Sequence, residues 1–541
     1  VFLLATAAAL WLNGNRFVLT ADEGILLVPA QQIAQGMRPY VDFFGYMTPG
    51  SYWIQAALFK LFGFALWVGR LPVIFDFAAQ CAIVFYLTSR LAHRRAAIAA
   101  SLAFLGFQIA DPTFLTAQHR WDSTTLALIG VCFALQPSFR VRTSPGTPLW
   151  TQLTLNWSWT TAVAGILLGF AAWCTPSIAL TGIAVAVWLM ISPDRRPALL
   201  PFGFGIALVC VVAVAALALQ GTLGAFIDQL RWLQKNYSSV NVMPYGSVIG
   251  GWKRLLTSAP GESSGPAEII LRGIFILCLA LPAILPPLAV GSWGWAMWRK
   301  KIAAQHFDSL LLLILAMVAL IAAAFPRMDI MHLGLVAALP YVLAAAGLAT
   351  ILTLRPGAIL AFSVLPLAVL FSLNSLLGWF QSKPVATPAG TVRADANVAP
   401  ELQKLVSTVR PGQGLFVYPY LPIATFVTQT TAASRFCYLN PGMMTHEDEL
   451  KVLSDLQAQP PEWMLFLSVS REEFLRVFPG ATHRSERYET LERWLADHYQ
   501  PYETPVTLGG YKLYHRGQAA LSSSAPLTSS EAVLPSVARA R

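Results

Sequence analysis

Two adjacent carboxylates, Asp22 and Glu23, follow the first apolar run and open a segment too polar to cross a bilayer. Arg38, Tyr40 and Asp42 come next, among aromatics, and then a Pro49-Gly50 turn. A carboxylate held where oil meets water binds a proton more tightly than one in bulk water, which strengthens it as a base. Such a pair could therefore remove the proton of a hydroxyl. The plainer reading is capping, with Thr20 or Asp22 at the N-cap of a helix over 23–35. Capping accounts for one acid better than for two. A second group, His119, Arg120 and Asp122, sits in TAQHRWDS at the head of an apolar run. The planar fork of Arg120 suits a phosphate, and Asp122 or His119 could orient a hydroxyl. A third, Arg327, Asp329 and His332, lies in the short polar gap FPRMDIMHL. There Arg327 suits an anion, or pairs structurally with Asp329. Asp329 and His332 are spaced to share a divalent cation, although two ligands are a thin set. Arg70, early in the next apolar run, needs an anionic partner, either a lipid phosphate or an acid such as Asp22 or Asp42.

These groups must be positioned by membrane helices. Of 541 residues, 56% are hydrophobic and 12% charged, with mean hydropathy +0.56; soluble domains carry about 25% charged residues. The chain is expected to be a polytopic α-helical membrane protein. Apolar runs near 1–19, 66–89, 95–110, 122–136, 159–174, 176–192, 198–219, 267–291, 307–325, 333–353 and 357–377 suggest about eleven spans. The first reads as a span and not as a signal peptide, since no small-residue cleavage site follows it. The stretch 51–64 reads as an interfacial helix with Trp and Phe toward lipid and Lys60 reaching to water. Arg90, Arg94, Arg95, Arg140, Arg142, Arg195, Arg196, Arg299, Lys300, Lys301 and Arg355 fall in alternate loops, so that side reads as cytoplasmic. The opposite side then carries 20–65, 111–121, 220–266, 326–332 and everything after 378. The +10 formal charge fits this bias and contact with anionic lipid; it gives no reason to invoke nucleic acid. In 220–266 an amphipathic start suggests another interfacial helix, with Lys235, Asn236 and Tyr245 read as solvated surface.

The expected organisation is a membrane domain over 1–378, a linker over 379–400 rich in Pro, Ala and Thr, a small α/β domain over 401–516 and a disordered tail over 517–541. Strands are expected at 414–420, 463–469 and 510–516, and helices at 446–457 and 485–498. The six cysteines show no metal-binding spacing, and Cys437 is alone in the polar C-terminal part. No Gly-rich phosphate loop follows a strand.

Three features together carry a resemblance: DEG…GxxPYxDFxxxxxPG after the first span, RxDxxH in a short outer loop, and an α/β appendage after the last span. The chain resembles bacterial membrane glycosyltransferases of the GT-C fold, among them protein O-mannosyltransferase-like enzymes and lipid A aminoarabinose transferases. The resemblance implies a polyprenyl-phosphate-linked sugar donor and an acceptor hydroxyl on a glycan, lipid or protein. It implies inversion at the anomeric carbon, outside the cytoplasm of a bacterial inner membrane. It puts the catalytic base at Asp22. The other residues above, Glu23, Arg38, Tyr40, Asp42, Arg70, His119, Arg120, Asp122, Arg327, Asp329 and His332, would then line the substrate site. No resident metal is expected, with a divalent cation left open. One departure is Thr48, where the aminoarabinose transferases carry a phosphate-binding Lys. It argues against aminoarabinose transfer, and leaves Arg70, Arg120 or Arg327 to meet the phosphate. Two other classes compete: a transporter or flippase, with Asp76 as its mid-span acid, and a non-enzymatic assembly subunit that docks through the α/β domain.

Overall fold

A computed structural model of the chain describes residues 1–136, 158–247, 276–299, 304–351, 375–440 and 442–517, with the single residues 273, 368, 370 and 373. The span read at 357–377, the basic residues Arg140, Arg142, Lys300, Lys301 and Arg355, and the tail after Gly517 lie outside this set, apart from the last few residues of that span.

The helices follow the apolar runs. In chain order they are α1 (Phe2–Asn13), α2 (Ala21–Ala34), α3 (Pro49–Phe62), α4 (Leu66–Leu91), α5 (Arg94–Ile109), α6 (His119–Ala134), α7 (Trp159–Cys174), α8 (Ala179–Ile191), α9 (Leu199–Leu219), α10 (Leu223–Val240), α11 (Leu281–Trp298), α12 (Ala304–Ala323), α13 (Ile330–Leu335) and α14 (Ala338–Ile351). Among the described residues three helical stretches are long and apolar enough to cross a membrane: Leu66–Leu91, Arg196–Leu219 and His306–Ala323. Several other apolar helices are shorter, so length alone does not reach eleven spans. The helix in 1–19 ends at Asn13, where Asn13-Gly14-Asn15-Arg16 turns polar. Small residues let the helices approach closely. A Cβ on Gly165 of α7 would lie 2.1 Å from the Phe202 carbonyl oxygen of α9. Side-chain-free contact of this kind replaces the hydrophobic drive that lipid removes.

The region 379–400 is not a linker. It forms an antiparallel hairpin of β1 (Lys383–Thr387) and β2 (Gly390–Ala394), followed by α15 (Val398–Thr408). Val385, Val392 and Ala394 are buried along one face of the hairpin, the two-residue period that a Pro/Ala/Thr-rich composition conceals. The hairpin packs on the membrane domain. Leu66 N–H donates to the Ala389 carbonyl at 3.1 Å, and Phe17 N–H to that of Arg393 at 2.8 Å.

Beyond it, β3 (Gly414–Tyr418), α16 (Ile423–Thr428), β4 (Thr431–Ala432), α17 (His446–Ala458), β5 (Trp463–Phe466), α18 (Arg471–Val477), α19 (Glu489–His498), β6 (Tyr499–Pro501), β7 (Thr507–Leu508) and β8 (Tyr511–Arg516) build a small mixed sheet with helices. The strand order is β4-β3-β5-β8-β6, with β7 beside β8. The pairs β4-β3 and β3-β5 are parallel, and β5-β8 is antiparallel.

This sheet domain sits on the polar segments that leave the membrane helices. Phe59 of α3 stacks on Phe426 at 5.5 Å between centroids. The interfacial reading of 51–64 therefore needs correction: Phe59 faces protein, while Lys60, Leu61 and Phe62 remain exposed. Phe44 N–H donates to the Arg435 carbonyl at 2.8 Å, and Trp232 Nε1 of α10 donates to Asp448 at 2.9 Å.

Candidate active site

The helix read over 23–35 forms as α2, and neither Thr20 nor Asp22 caps it through a side chain. The two acids of its first turn point differently. Glu23 is fully buried and takes Arg70 in a two-pronged pair, Nε to Oε1 at 2.6 Å and Nη2 to Oε2 at 2.8 Å. Ala117 N–H donates to the same carboxylate at 3.0 Å, and Arg70 Nη1 reaches the Asn13 carbonyl at 2.6 Å. This pair ties α2, α4, the end of α1 and the loop before α6 together. It corrects the reading of Glu23 and Arg70 as substrate groups: both are sealed and satisfied, and the anion that Arg70 needs is Glu23. Asp22 is exposed and makes no side-chain hydrogen bond among the described residues.

Gly24 explains why the acids precede a glycine. A Cβ there would lie 2.2 Å from Ile423 N and 2.6 Å from the Pro422 carbonyl carbon. The sheet domain rests directly on α2 at this point, two residues from Asp22.

The loop after α2 is a separate structural unit. Arg38 holds Asp42 through its backbone N–H (2.7 Å) and its guanidinium (3.0 Å). Hydrogen bonds from Arg38, its side chain first, hold the Asp42 carboxyl below its usual range. Tyr40 has a positive φ of 68°, donates to the Met47 carbonyl at 2.8 Å and packs on Phe226 of α10 at 5.2 Å. Arg38, Tyr40 and Asp42 thus shape the loop and are not drawn toward Asp22. Thr48, in the position of the missing Lys, is buried.

Of the other two groups, Arg120 comes near Asp22 and links it to the third. Arg120 is close enough to Asp22, Asp329 and Tyr237 for their charges to act on it, and His119 feels both Arg120 and His332. The helix that carries them is seated by Trp121, whose Nε1 donates to the Phe114 carbonyl at 2.9 Å. His119 Nδ1 lies 2.7 Å from the Thr175 hydroxyl. Arg120 donates to the Ala323 carbonyl at 3.1 Å, and among the described residues no carboxylate pairs with it. Asp122 turns away from this group, inward toward Asp76 of α4.

In the loop after α12, Asp329 caps α13 through the His332 N–H at 2.9 Å and also meets His332 Nδ1 at 2.8 Å. Arg327 Nε donates to its other oxygen at 2.8 Å. Burial alone would raise the Asp329 carboxyl; the charge and hydrogen bonds of His332, then Arg327, outweigh it and hold the group well below the usual carboxylate range. Asp329 is therefore fully engaged with protein partners. Among the described residues no group of three or more His, Cys, Asp or Glu is arranged to hold a metal. Arg327 also donates to Asn241 at 3.4 Å and to the Val477 carbonyl of the sheet domain at 3.3 Å, and lies over the Phe478 ring. It works as a strut between the outer loop and the sheet domain.

Sequence reasoning missed two members of this group. Tyr237 of α10 is within reach of the charges of Asp22, Arg120, Arg327 and Asp329. Tyr438 of the sheet domain is acted on by Asp22, Arg327 and Tyr237. Burial pushes both phenols up, so both stay protonated at neutral pH. Tyr46 sets Tyr438 in place by donating to its carbonyl and packing edge-on at 5.2 Å. Neither tyrosine lies in a motif. Only the amphipathic pattern of α10 and the crowding of aromatics in the first loop hinted at a covered surface. Lys235 and Tyr245 are exposed, and Asn236 is buried against its own helix.

No protein-family model matches the chain, and no curated protein matches it. Solved structures do. ArnT from Cupriavidus metallidurans, bound to undecaprenyl phosphate, superposes over 96% of this chain and 98% of its own, with 14% identity and a TM-score of 0.52. An oligosaccharyltransferase from Archaeoglobus fulgidus tethered with an acceptor peptide matches over 96% and 74%, at 10% identity and TM-score 0.47. The arabinosyltransferase EmbB from Mycobacterium smegmatis matches over 72% and 34%, at 16% identity and TM-score 0.42.

Proposed function

We propose that this chain, which has the GT-C fold of a multi-pass membrane protein, is an inverting glycosyltransferase. It moves a sugar from a polyprenyl-phosphate donor to an acceptor hydroxyl. The observation that carries this reading is the nearness of a carboxylate, Asp22, to an arginine, Arg120, neither of them in an ion pair among the described residues, with two neutral phenols close by. The fold shared with a structure bound to undecaprenyl phosphate supports it. We place this cluster on the outer face of a bacterial inner membrane, as the basic loops indicate.

In the reaction, Asp22 takes the proton of the acceptor hydroxyl as its oxygen attacks the anomeric carbon. The attack comes from the face opposite the phosphate, so the configuration inverts. The bond from the anomeric carbon to the phosphate oxygen breaks, and its electron pair stays on the lipid phosphate. Arg120 stabilises that growing charge, worth most where water is excluded. Tyr237 and Tyr438 supply hydroxyl donors around it. The polyprenyl tail remains in the bilayer throughout, and no nucleotide is needed.

The test is transfer from a polyprenyl-phosphate sugar by the Asp22→Asn protein. Losing the base is expected to lower turnover by about 10² to 10⁴-fold. Undiminished turnover in well-folded protein would remove Asp22 from the mechanism.

A further inference from the structure

The acid read from sequence as a lone mid-span candidate, Asp76, has a partner. Its carboxyl and that of Asp122 lie within hydrogen-bond reach of one another, between α4 and α6. Each side chain is buried, at 6% exposure, and among the described residues no basic side chain pairs with either. Other side-chain oxygens lie close by. Ser51 of α3 stands beside Asp122. Thr125 stands beside Asp76 and accepts from Gln80 Nε2 at 3.0 Å. Gln80 follows Asp76 by one helical turn and shares its face of α4. Three oxygens here, Asp76 Oδ2, Ser51 Oγ and Gln80 Oε1, are buried and receive no hydrogen-bond donor among the described residues, and Ser51 and Gln80 are at most 1% exposed. The sulfur of Cys174 is the soft atom nearby.

Two carboxylates side by side in a membrane helix bundle repel each other, and each loses the water that would solvate it. Unfilled lone pairs on three oxygens aggravate the cost. One ligand answers all of these at once. We infer that Asp76, Asp122, Ser51 and Gln80 hold a hard divalent cation of the magnesium–manganese class. Its double charge cancels that of the pair. The donors are predominantly oxygens, which favours hard cations over zinc or copper. One or two carboxylates with neutral oxygens and water is the usual coordination of magnesium. The ion would tie α3, α4 and α6 together beneath the turn that presents His119 and Arg120. This inference does not depend on sugar transfer, because binding is read directly.

The full-length protein, stripped with chelator in detergent, is titrated with Mn²⁺ and bound ion is counted by electron paramagnetic resonance. One Mn²⁺ per chain, displaced by Mg²⁺ and accompanied by a rise in Tm, is expected. Asp76→Asn should weaken binding at least tenfold, and Gln80→Leu less. If the single variant does not fold, Asp76→Asn/Asp122→Asn removes the repulsion together with the site, and should fold and bind no Mn²⁺ here. Wild-type Mn²⁺ stoichiometry in these variants overturns the assignment. So does a wild-type protein that binds no divalent ion and instead shows a protonated-carboxyl infrared band lost in Asp76→Asn, the mark of a shared proton. Stabilisation by Na⁺ alone also overturns it.

Discussion

Three arginines were open to a phosphate in the sequence, and their partners separate them. Arg70 is held by Glu23 and Arg327 by Asp329, while among the described residues Arg120 has a backbone carbonyl and no carboxylate. Arg120→Gln should therefore lower kcat/KM for the lipid donor about 10² to 10³-fold. Arg120→Lys should fall between, since it keeps the charge and loses the fork. Donor titrations of both proteins check this; Arg120→Gln at the wild-type rate would rule the assignment out. The Glu23–Arg70 pair behaves differently. Removing one partner leaves a buried charge and should cost about 3–5 kcal/mol. Replacing both, Glu23→Leu with Arg70→Met, should recover part of that. It still orphans Ala117 N–H and the Asn13 carbonyl, each costing about 1–3 kcal/mol. Tm in detergent orders the three proteins, and a double variant less stable than either single one would contradict it.

At the level of elements, α2 is the joint of the molecule. Its first turn carries the candidate base, its buried glutamate binds α4, and Gly24 receives the sheet domain. Gly24→Ala would press a methyl into Pro422 and Ile423. Overpacking of this kind costs about 1–3 kcal/mol. The expected outcome is a lower Tm together with faster proteolysis of the hairpin and sheet domain. A Gly24→Ala protein as stable and protease-resistant as wild type would mean that the two do not press together there. The first loop supports the same contact from the side, through Phe44 against Phe436 and Tyr46 against Tyr438.

For the whole molecule, ion pairs outside the membrane, one within the outer loop and one within the sheet domain, make those parts sensitive to acid. Asp329 is held low although burial opposes it. Burial would likewise raise Asp455, and the hydrogen bonds of Arg435 and Ser434 hold it down. A carboxyl whose folded value lies below its unfolded one adds stability that is complete above the unfolded range, near pH ~4. That stability is lost as pH falls through the folded value. Between pH 5 and 8 these groups should contribute no slope. Below about pH 4 the Arg327 strut to Val477 should loosen. Amide hydrogen exchange at 326–333 and 475–480, followed against pH, measures this; protection unchanged down to the acid limit would show that the strut carries no weight.

Composition and periodicity were enough for membrane helices and for the sheet elements at 414–418, 463–466 and 511–516, because burial in lipid or in a sheet demands long apolar or alternating runs. The candidate base stood out for a similar reason: a polar acid pair beside a span is conspicuous locally. Partners were another matter. That Glu23 answers Arg70, that Asp122 turns to Asp76 and not to the site, and that Tyr237 and Tyr438 come near Asp22 depend on contacts between residues far apart in the chain. Such pairings are set by how helices cross and where a domain comes to rest, and no spacing along the sequence records them. The hairpin at 383–394 was hidden likewise, since its short alternating face gains its burial only in the folded chain, against α15, α4 and residues 16 and 17.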